Sequence, residues 1–514
     1  MFGWLCFVIV LALLPARGFA ADEMTIVYGT TEKVTDLDPA SAYDFHTWEL
    51  FYNIYQGLLT YPPGETELAP GLAESYTISP DGKEYTFSLR KTLKFADGTP
   101  FNAEVVKWSL ERVMQLQQKP SWLVTAFVEK VAVVDQFTVK MVLKNPVAYF
   151  PALVATAPYY PVNPKLYPAD RLIHDPADLE GGQLDGLGPY KMASFQRDAE
   201  VVLEARPEFY GEEPKNTRVI IRYFAEAAAM RRALEKGEID LAFKTFNPAD
   251  ITELEKSKAL VSVKTQGPYI RYLSFLCGAA PFNNKALRQA VAAALDRPAI
   301  IKKVFLGQNE PLYSMIPQGM WAHTEAFKAA YSDGDAKKAK ELLTAQGYTK
   351  QKPFEFDLWY TPSHYGDTEK ALATLVKAQL EATGLLKVNL KSAEWEAYRE
   401  NWSKKAMSAF FLGWYPDYID PDNYTDAFAG TEGSKSNGTF FSDPAWDAKL
   451  LAAKTVTDFA KRTLLYEDLQ KMWTEEVMTV PLLQGNIYLF MQQNIAGVLI
   501  APTMQFNYGP IERK

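Results

Sequence analysis

The sequence predicts a multidomain α/β protein carrying an antiparallel α+β insertion, and three observations predict it. The chain has 514 residues, 48% hydrophobic, 13% aromatic and 23% charged, with ordinary Gly and Pro content. This excludes disordered, collagen-like and disulfide-scaffold chains and, at ~100–200 residues per domain, implies about three domains with clefts between them. Between Pro353 and Asp420 strand-like and helix-like stretches alternate in the order β-α-β-α-β. From Leu68 to Thr99, by contrast, β-formers are punctuated by turn dipeptides, the mark of an antiparallel meander.

The apolar run Leu5–Leu14 is followed by Pro15, Ala16, Arg17 and the small-residue stretch Gly18-Phe19-Ala20-Ala21. A membrane-spanning helix needs roughly 20 apolar residues, so residues 1–20 read as a signal peptide cleaved near Ala20, and the mature chain is expected in the periplasm. With Cys6 removed, Cys277 stands alone and no internal disulfide forms. Met24–Tyr28 reads as a strand leading through Gly29-Thr30-Thr31 to the Asp36-Leu37-Asp38-Pro39 turn, and Trp48–Leu59 has helical spacing. Tyr76-Thr77-Ile78 and Tyr85–Leu89 flank the Ser79-Pro80-Asp81-Gly82 turn; Asn102 caps a helix through Trp108 to Met114; Val131–Val134 and Thr138–Leu143 form a hairpin around Asp135-Gln136. Residues 61–184 thus read as one α+β insert, closed by the glycine-rich stretch from Gly181-Gly182 to Gly188-Pro189-Tyr190.

In the α/β region, Phe354–Tyr360 is strand-like, Asp367–Thr383 helical with Ala371, Leu372, Leu375, Val376 and Leu380 on one face, and Gly384 stops it. Lys387–Leu390, Glu394–Lys405 and Ser408–Trp414 follow as strand, helix and strand. Right-handed crossovers make the three strands parallel, and ligands of open α/β sheets lie beyond the carboxyl ends of such strands. The loops leaving those ends are Thr361–Gly366 and Tyr415–Asp420.

Lys plus Arg is 54 against 62 Asp plus Glu, for a charge of -8 and a pI near 5.4. Basic residues come at most in pairs such as Arg231-Arg232 and Lys404-Lys405, which argues against nucleic acid or an anionic membrane as the main partner. Nucleotide-binding, α/β-hydrolase and zinc-protease motifs are absent. His46, His174, His323 and His364 lack metal-ligand spacing and read as surface or core residues, with His364 drawing more weight from its sheet-end loop. No catalytic residue, metal or cofactor is indicated. The densest segment is Gly413–Tyr424, where aromatics and carboxylates crowd a strand end. Asp420 reads as an N-cap with Pro421 at the first helical position. Asp417 is either a solvated loop carboxylate or a desolvated, ligand-facing one suited to an ammonium, and Trp414 is core or pocket wall.

At these residues the chain resembles the family 5 extracellular solute-binding proteins, the peptide and nickel receptors of ATP-driven importers. The resemblance runs from Thr25 to about Tyr508 and is carried by Leu72–Tyr76, Ser79–Lys83, Phe95–Phe101, Gly188-Pro189-Tyr190, Pro281–Asn284, Arg288-Gln289-Ala290, Leu295-Asp296-Arg297 and Trp414–Tyr424. It implies a two-lobed, type II periplasmic-binding-protein-like fold with an extra α+β domain in the first lobe. Domain I would take residues 21–60, 185–268 and 492–514, domain II residues 61–184, and domain III, the second lobe, residues 269–491. It implies a monomeric receptor that closes on a peptide or other small amine-bearing solute and delivers it to an inner-membrane ABC permease with ATPase subunits. Asp417 would receive the ligand's α-ammonium, with Trp414, Tyr415, His364 and Tyr365 lining the cleft. Dipeptide receptors place an arginine for the ligand carboxylate in the loop that here reads Thr361–Gly366 without one, which favours longer peptides or a modified amine-bearing solute. A nickel complex, an oligosaccharide or an opine-like solute is the alternative cargo, and an envelope hydrolase the remote one.

Overall fold

The computed structural model describes residues 24–179, 183–243, 246–501, 503 and 505–514. The expected signal peptide, Cys6 and the Gly181-Gly182 boundary lie outside the described residues. Strand β1, Thr25–Thr30, is buried along its whole length, as a strand with parallel neighbours on both sides must be. Helix α1 spans Phe45–Ile54 rather than the expected Trp48–Leu59. The Asp44 side chain accepts from the Thr47 backbone N–H and so sets the start one turn earlier than the apolar periodicity, and extended Tyr55 ends the helix.

Next come β2 (Ala73–Ile78), β3 (Glu84–Leu89), α2 (Ala103–Leu116, capped by Asn102), β4 (Val128–Asp135) and β5 (Thr138–Leu143). The four strands form one antiparallel sheet in the order β2-β3-β5-β4: the two hairpins form as expected, but they join through β3 and β5, so the sheet is not a continuous meander. This sheet does not build a core of its own. Phe87 and Leu89 of β3 and Val106 and Leu110 of α2 join Phe51 and Ile54 of α1 and Leu203 of the main sheet in one continuous cluster.

The main sheet collects β6 (Tyr190–Gln196), β7 (Glu200–Ala205), β8 (Arg218–Tyr223), β9 (Leu241–Phe243) and β10 (Leu260–Phe275). After β10 come β11 (Phe354–Tyr360), α3 (Glu369–Glu381), β12 (Leu386–Ser392), α4 (Trp395–Ser403), β13 (Ala409–Trp414), α5 (Phe459–Glu476) and β14 (Thr479–Gln492). The strand order is β12-β11-β13-β10-β14-β9-β1-β8-β7-β6. Strand β11 runs parallel to both β12 and β13, as the crossover argument predicts, while β13 is antiparallel to β10. A second core of Phe282, Leu358, Val376, Phe410 and Trp473 fills this half of the molecule.

Strands β10 and β14 join the halves. Their ladder pairs Gln266 with Asn486, then Ile270 with Gln484, so Gly267-Pro268-Tyr269 bulge out opposite the single residue Gly485. The break takes in Pro268-Tyr269 on β10 and Gly485 on β14, and beyond it Leu489–Met491 pair with β9 of the first half. Cys277 is a free thiol that burial pushes up to about 12.

Asp38, in the turn after β1, and Arg112 of α2 form a buried two-point ion pair at 2.8 and 2.6 Å, and Asp38 also accepts the Ile173 N–H at 3.0 Å. Removing one partner of such a pair leaves an uncompensated buried charge. Arg112→Met is therefore expected to destabilise the protein by about 3–5 kcal/mol, read by denaturant unfolding; a loss below about 1 kcal/mol would show that the pair does not join the insert to the first half.

Candidate functional site

Beyond the carboxyl end of β13 the chain enters 415–424, a segment fixed from within its own half. Asp420 accepts from the Asp422 N–H at 2.9 Å, capping the short turn Pro421–Tyr424 as expected, and Arg462 of α5 grips the same carboxylate at 2.8 and 2.7 Å. Asn423 Oδ1 accepts from the Trp414 indole N–H (3.0 Å) and the Asp417 backbone N–H (3.1 Å). Tyr424 donates to the Pro268 carbonyl at 2.5 Å, tying the loop to the strand break. Tyr418 reaches into the other half: its ring joins the first core and stacks on Tyr149 at 4.9 Å and 7°, while its hydroxyl donates to Asp422 of its own loop at 2.8 Å.

Held in this way, Asp417 presents its carboxylate to the first half. The Tyr43 hydroxyl donates to Asp417 Oδ1 at 2.7 Å, and the Trp122 indole N–H donates to Tyr43 at 3.1 Å. Burial pushes the Asp417 carboxyl up to about 6, against the lowering effect of the bonds from Tyr43 and Asn423. Tyr415, 37% exposed, lies between Phe45 of α1 (5.1 Å) and Tyr269 of the bulge (5.0 Å, 20°). The space beside Asp417 is lined by Phe45, Trp48, Tyr52, Tyr61 and Ile419 and measures about 20 Å³, room for one water and no peptide.

Of the remaining expected residues, Trp414 and Tyr365 are half-buried and His364 is exposed. Trp414 meets Phe428 edge-on at 5.0 Å and packs against the second core, so it supports the loop through Asn423. Tyr365 lies flat on the Arg271 guanidinium of β10, 3.6 Å from ring centre to Cζ. Gly413 allows this: a Cβ there would meet Tyr365 at 2.8 Å and Arg271 at 3.0 Å. Arg271 Nη2 donates to Glu369 of α3 at 2.5 Å. His364 stacks on Trp395 at 3.5 Å and 5°; burial, with Arg271 and Arg399 adding to it, pushes its imidazole down to about 4, so it is neutral at pH 7.

The sequence reading missed Tyr43, Trp122, Arg271 and Glu369. Of these only Arg271 carries a signal, a lone arginine inside the apolar strand Tyr269–Phe275. Among the described residues one cluster has metal-ligand spacing, Glu32, His46 and Glu49, whose donor atoms lie within 4.8 Å of one another on α1 and the loop after β1. It does not include Asp417, and both glutamates have other contacts, including the Tyr508 hydroxyl on Glu49 at 2.9 Å. No helix among the described residues is long and apolar enough to cross a membrane.

Residues 67–436 match the family described as bacterial extracellular solute-binding proteins, family 5, middle. The chain is 29% identical over 511 residues to the probable D,D-dipeptide-binding periplasmic protein DdpA of Escherichia coli K12, covering 96% of each. It is also 29% identical over 515 residues to the glutathione-binding protein GsiB of the same strain, covering 97% of this chain and 96% of that one. Its fold is that of HbpA2 from Haemophilus parasuis, with a TM-score of 0.83 at 23% identity over 95% of this chain and 100% of that one. The two-lobed type II binding-protein fold expected from the sequence is the fold observed.

The raised Asp417 carboxyl has a consequence for stability. The folded protein holds this proton more tightly than the unfolded chain, whose carboxyl titrates near 4, so this contribution is complete below pH ~4 and lost as pH rises through about 6. Asp417→Asn should remove that loss. The variant is expected to exceed the parent by about 1–2 kcal/mol at pH 7, a figure reduced for the side chain's partial solvent contact, and to match it near pH 4. Thermal unfolding across this range checks it; equal curves at both pH values would contradict a desolvated Asp417.

Proposed function

Because the chain belongs to the family 5 bacterial extracellular solute-binding proteins, we propose that it is a non-catalytic periplasmic receptor that binds peptides between its lobes and delivers them to an ABC permease. One observation carries the peptide reading: Asp417 is a carboxylate pushed up to about 6, aimed across the cleft and met there by the neutral Tyr43 hydroxyl. A peptide's α-ammonium supplies the charge that this position lacks, as a charge-assisted hydrogen bond. Aromatic side chains on both faces, Phe45, Trp48, Tyr269 and Tyr415, provide apolar surface for side chains of varied shape. The relatives named for a D,D-dipeptide and for glutathione are consistent with small peptide cargo.

With about 20 Å³ beside Asp417, entry of a peptide requires the lobes to part. The β10–β14 break is the proposed hinge, since Gly267 and Gly485 interrupt the ladder there. Small-angle scattering on protein stripped of ligand by unfolding and refolding should show a larger radius of gyration without peptide than with it. An unchanged radius from a demonstrably open starting state would contradict the hinge.

The decisive measurement is calorimetry on four combinations: a free-amino tripeptide and its N-acetylated form, each with the parent and with Asp417→Ala. Removing one partner of a desolvated charge pair typically costs about 2–5 kcal/mol, or roughly 30-fold to a few thousand-fold in affinity. Asp417→Ala should weaken free-amino binding by that factor, whereas acetylated peptide should bind the parent poorly and lose little more on mutation. A coupling near zero between the two changes, with folding confirmed by circular dichroism, would remove the peptide reading's main support.

A further inference from the structure

His46 and Glu49 stand three positions apart in α1, a spacing that puts both side chains on one face of the helix. Glu32, in the loop after β1, completes the group: its Oε2 lies 3.8 Å from His46 Nδ1, and Glu49 Oε1 lies 3.9 Å from the same nitrogen. That nitrogen is out of place. His46 is 2% exposed, and Nδ1 has no hydrogen-bond partner. On the other side of the ring Nε2 and the Tyr223 hydroxyl are 3.1 Å apart. Where Nε2–H donates to Tyr223, Nδ1 turns a lone pair on two carboxylates; where Nδ1 holds a proton, neither carboxylate lies within hydrogen-bonding reach of it. Either state leaves a buried polar atom unanswered, and a cation among the three donors answers it.

We propose that Glu32, His46 and Glu49 bind one divalent transition-metal ion of the zinc type, which ties α1 to the loop after β1. An imidazole nitrogen with two carboxylate oxygens is a donor set that suits zinc, whereas magnesium and calcium take oxygen ligands. The two glutamates also balance the charge of a divalent ion. Zinc bonds of about 2.0–2.2 Å in a tetrahedral array set ligands about 3.4 Å apart, so the donors need to close in by only about half an ångström. The groups that orient the ligands are in place: Tyr223 meets His46 Nε2, and the Tyr508 hydroxyl donates to Glu49 at 2.9 Å. The Glu49 side chain is wholly buried and that of Glu32 is 28% exposed, so an ion and the water that completes its shell enter from the Glu32 side. This ion is resident and not cargo. All three ligands belong to the first half of the molecule, and the ion braces the end of α1 whose Phe45 meets Tyr415 across the cleft.

The probe is Zn²⁺ alone, added to the purified protein after chelator treatment. Equilibrium dialysis with elemental analysis should find one Zn²⁺ per chain, and the unfolding temperature should climb with free Zn²⁺, as it must for an ion that binds the folded form. Mg²⁺ at equal concentration should do neither. Glu32→Gln, a conservative change at a partly exposed position, should weaken Zn²⁺ binding by about 10-fold or more, at least the loss expected from removing a group that merely orients a ligand. His46→Gln should abolish it, with folding of both variants confirmed by circular dichroism. If His46→Gln does not fold, Glu32→Gln decides alone. Failure of the parent to take up Zn²⁺, an equal response to Mg²⁺, or binding by Glu32→Gln as tight as the parent's overturns the proposal and leaves the three side chains an internal charged cluster.

Discussion

The break in the β10–β14 ladder is the constraint on which the rest of the molecule depends. These two strands belong to both halves, so the sheet could run straight through as one rigid slab. Three residues bulging opposite one prevent this. A side chain at position 485 would have to displace Tyr269: a Cβ there would lie within 2.0 Å of two ring carbons and the hydroxyl of its phenol. The polar groups that the bulge frees are answered locally. Gln484 donates to the Gly267 carbonyl at 2.9 Å and accepts from the Gln318 N–H at 2.7 Å, and Tyr424 takes the Pro268 carbonyl. The same ring that excludes a side chain at position 485 stacks on Tyr415, so the joint between the halves is also a wall of the cleft.

Three buried ion pairs fix what the hydrophobic cores leave loose. Asp38–Arg112 ties the insert to the first half, Asp420–Arg462 anchors the loop after β13 to α5, and Arg271–Glu369 sets the layer beneath that loop. Such pairs add little net stability, since desolvation offsets most of the attraction, but breaking one is costly, so they hold geometry. Burial raises both Asp422 and Asp417 on the same segment; Asp422 accepts from Tyr418 inside the loop, and Asp417 differs in facing the other half. Its neighbours are pinned by Arg462 and Asn423, and its own carboxylate faces a phenol. A carboxyl whose proton affinity burial raises, with no ion-pair partner, is a better functional-site candidate than a satisfied pair.

Several elements were legible because their signals are local. The period-two runs and turn dipeptides of β2 to β5, the caps at Asn102 and Asp420, and the alternation from Phe354 to Trp414 each appear within a few turns of chain. Even there, boundaries shifted. Helix α3 runs Glu369–Glu381 rather than Asp367–Thr383, and the Asp44 cap starts α1 ahead of its first periodic tryptophan. Trp414 illustrates the reach of such reading: its aromatic neighbours marked the segment as a candidate, but whether it lines a pocket or props a loop depends on Phe428 and Asn423.

The sequence by itself determined the α/β class, the parallel β-α-β-α-β unit, the antiparallel hairpins and the family resemblance, and it singled out Asp417 as a candidate, because periodicity, caps and a carboxylate among aromatics act over short stretches of chain. The tertiary structure alone decided that the insert shares its core with the first half, that Arg271 lies under Tyr365, and that Asp417 meets Tyr43, 374 positions away. The physical reason is range. Local patterns are set by backbone geometry, whereas a contact across a cleft depends on how two lobes close, and that is fixed by packing summed over the whole chain.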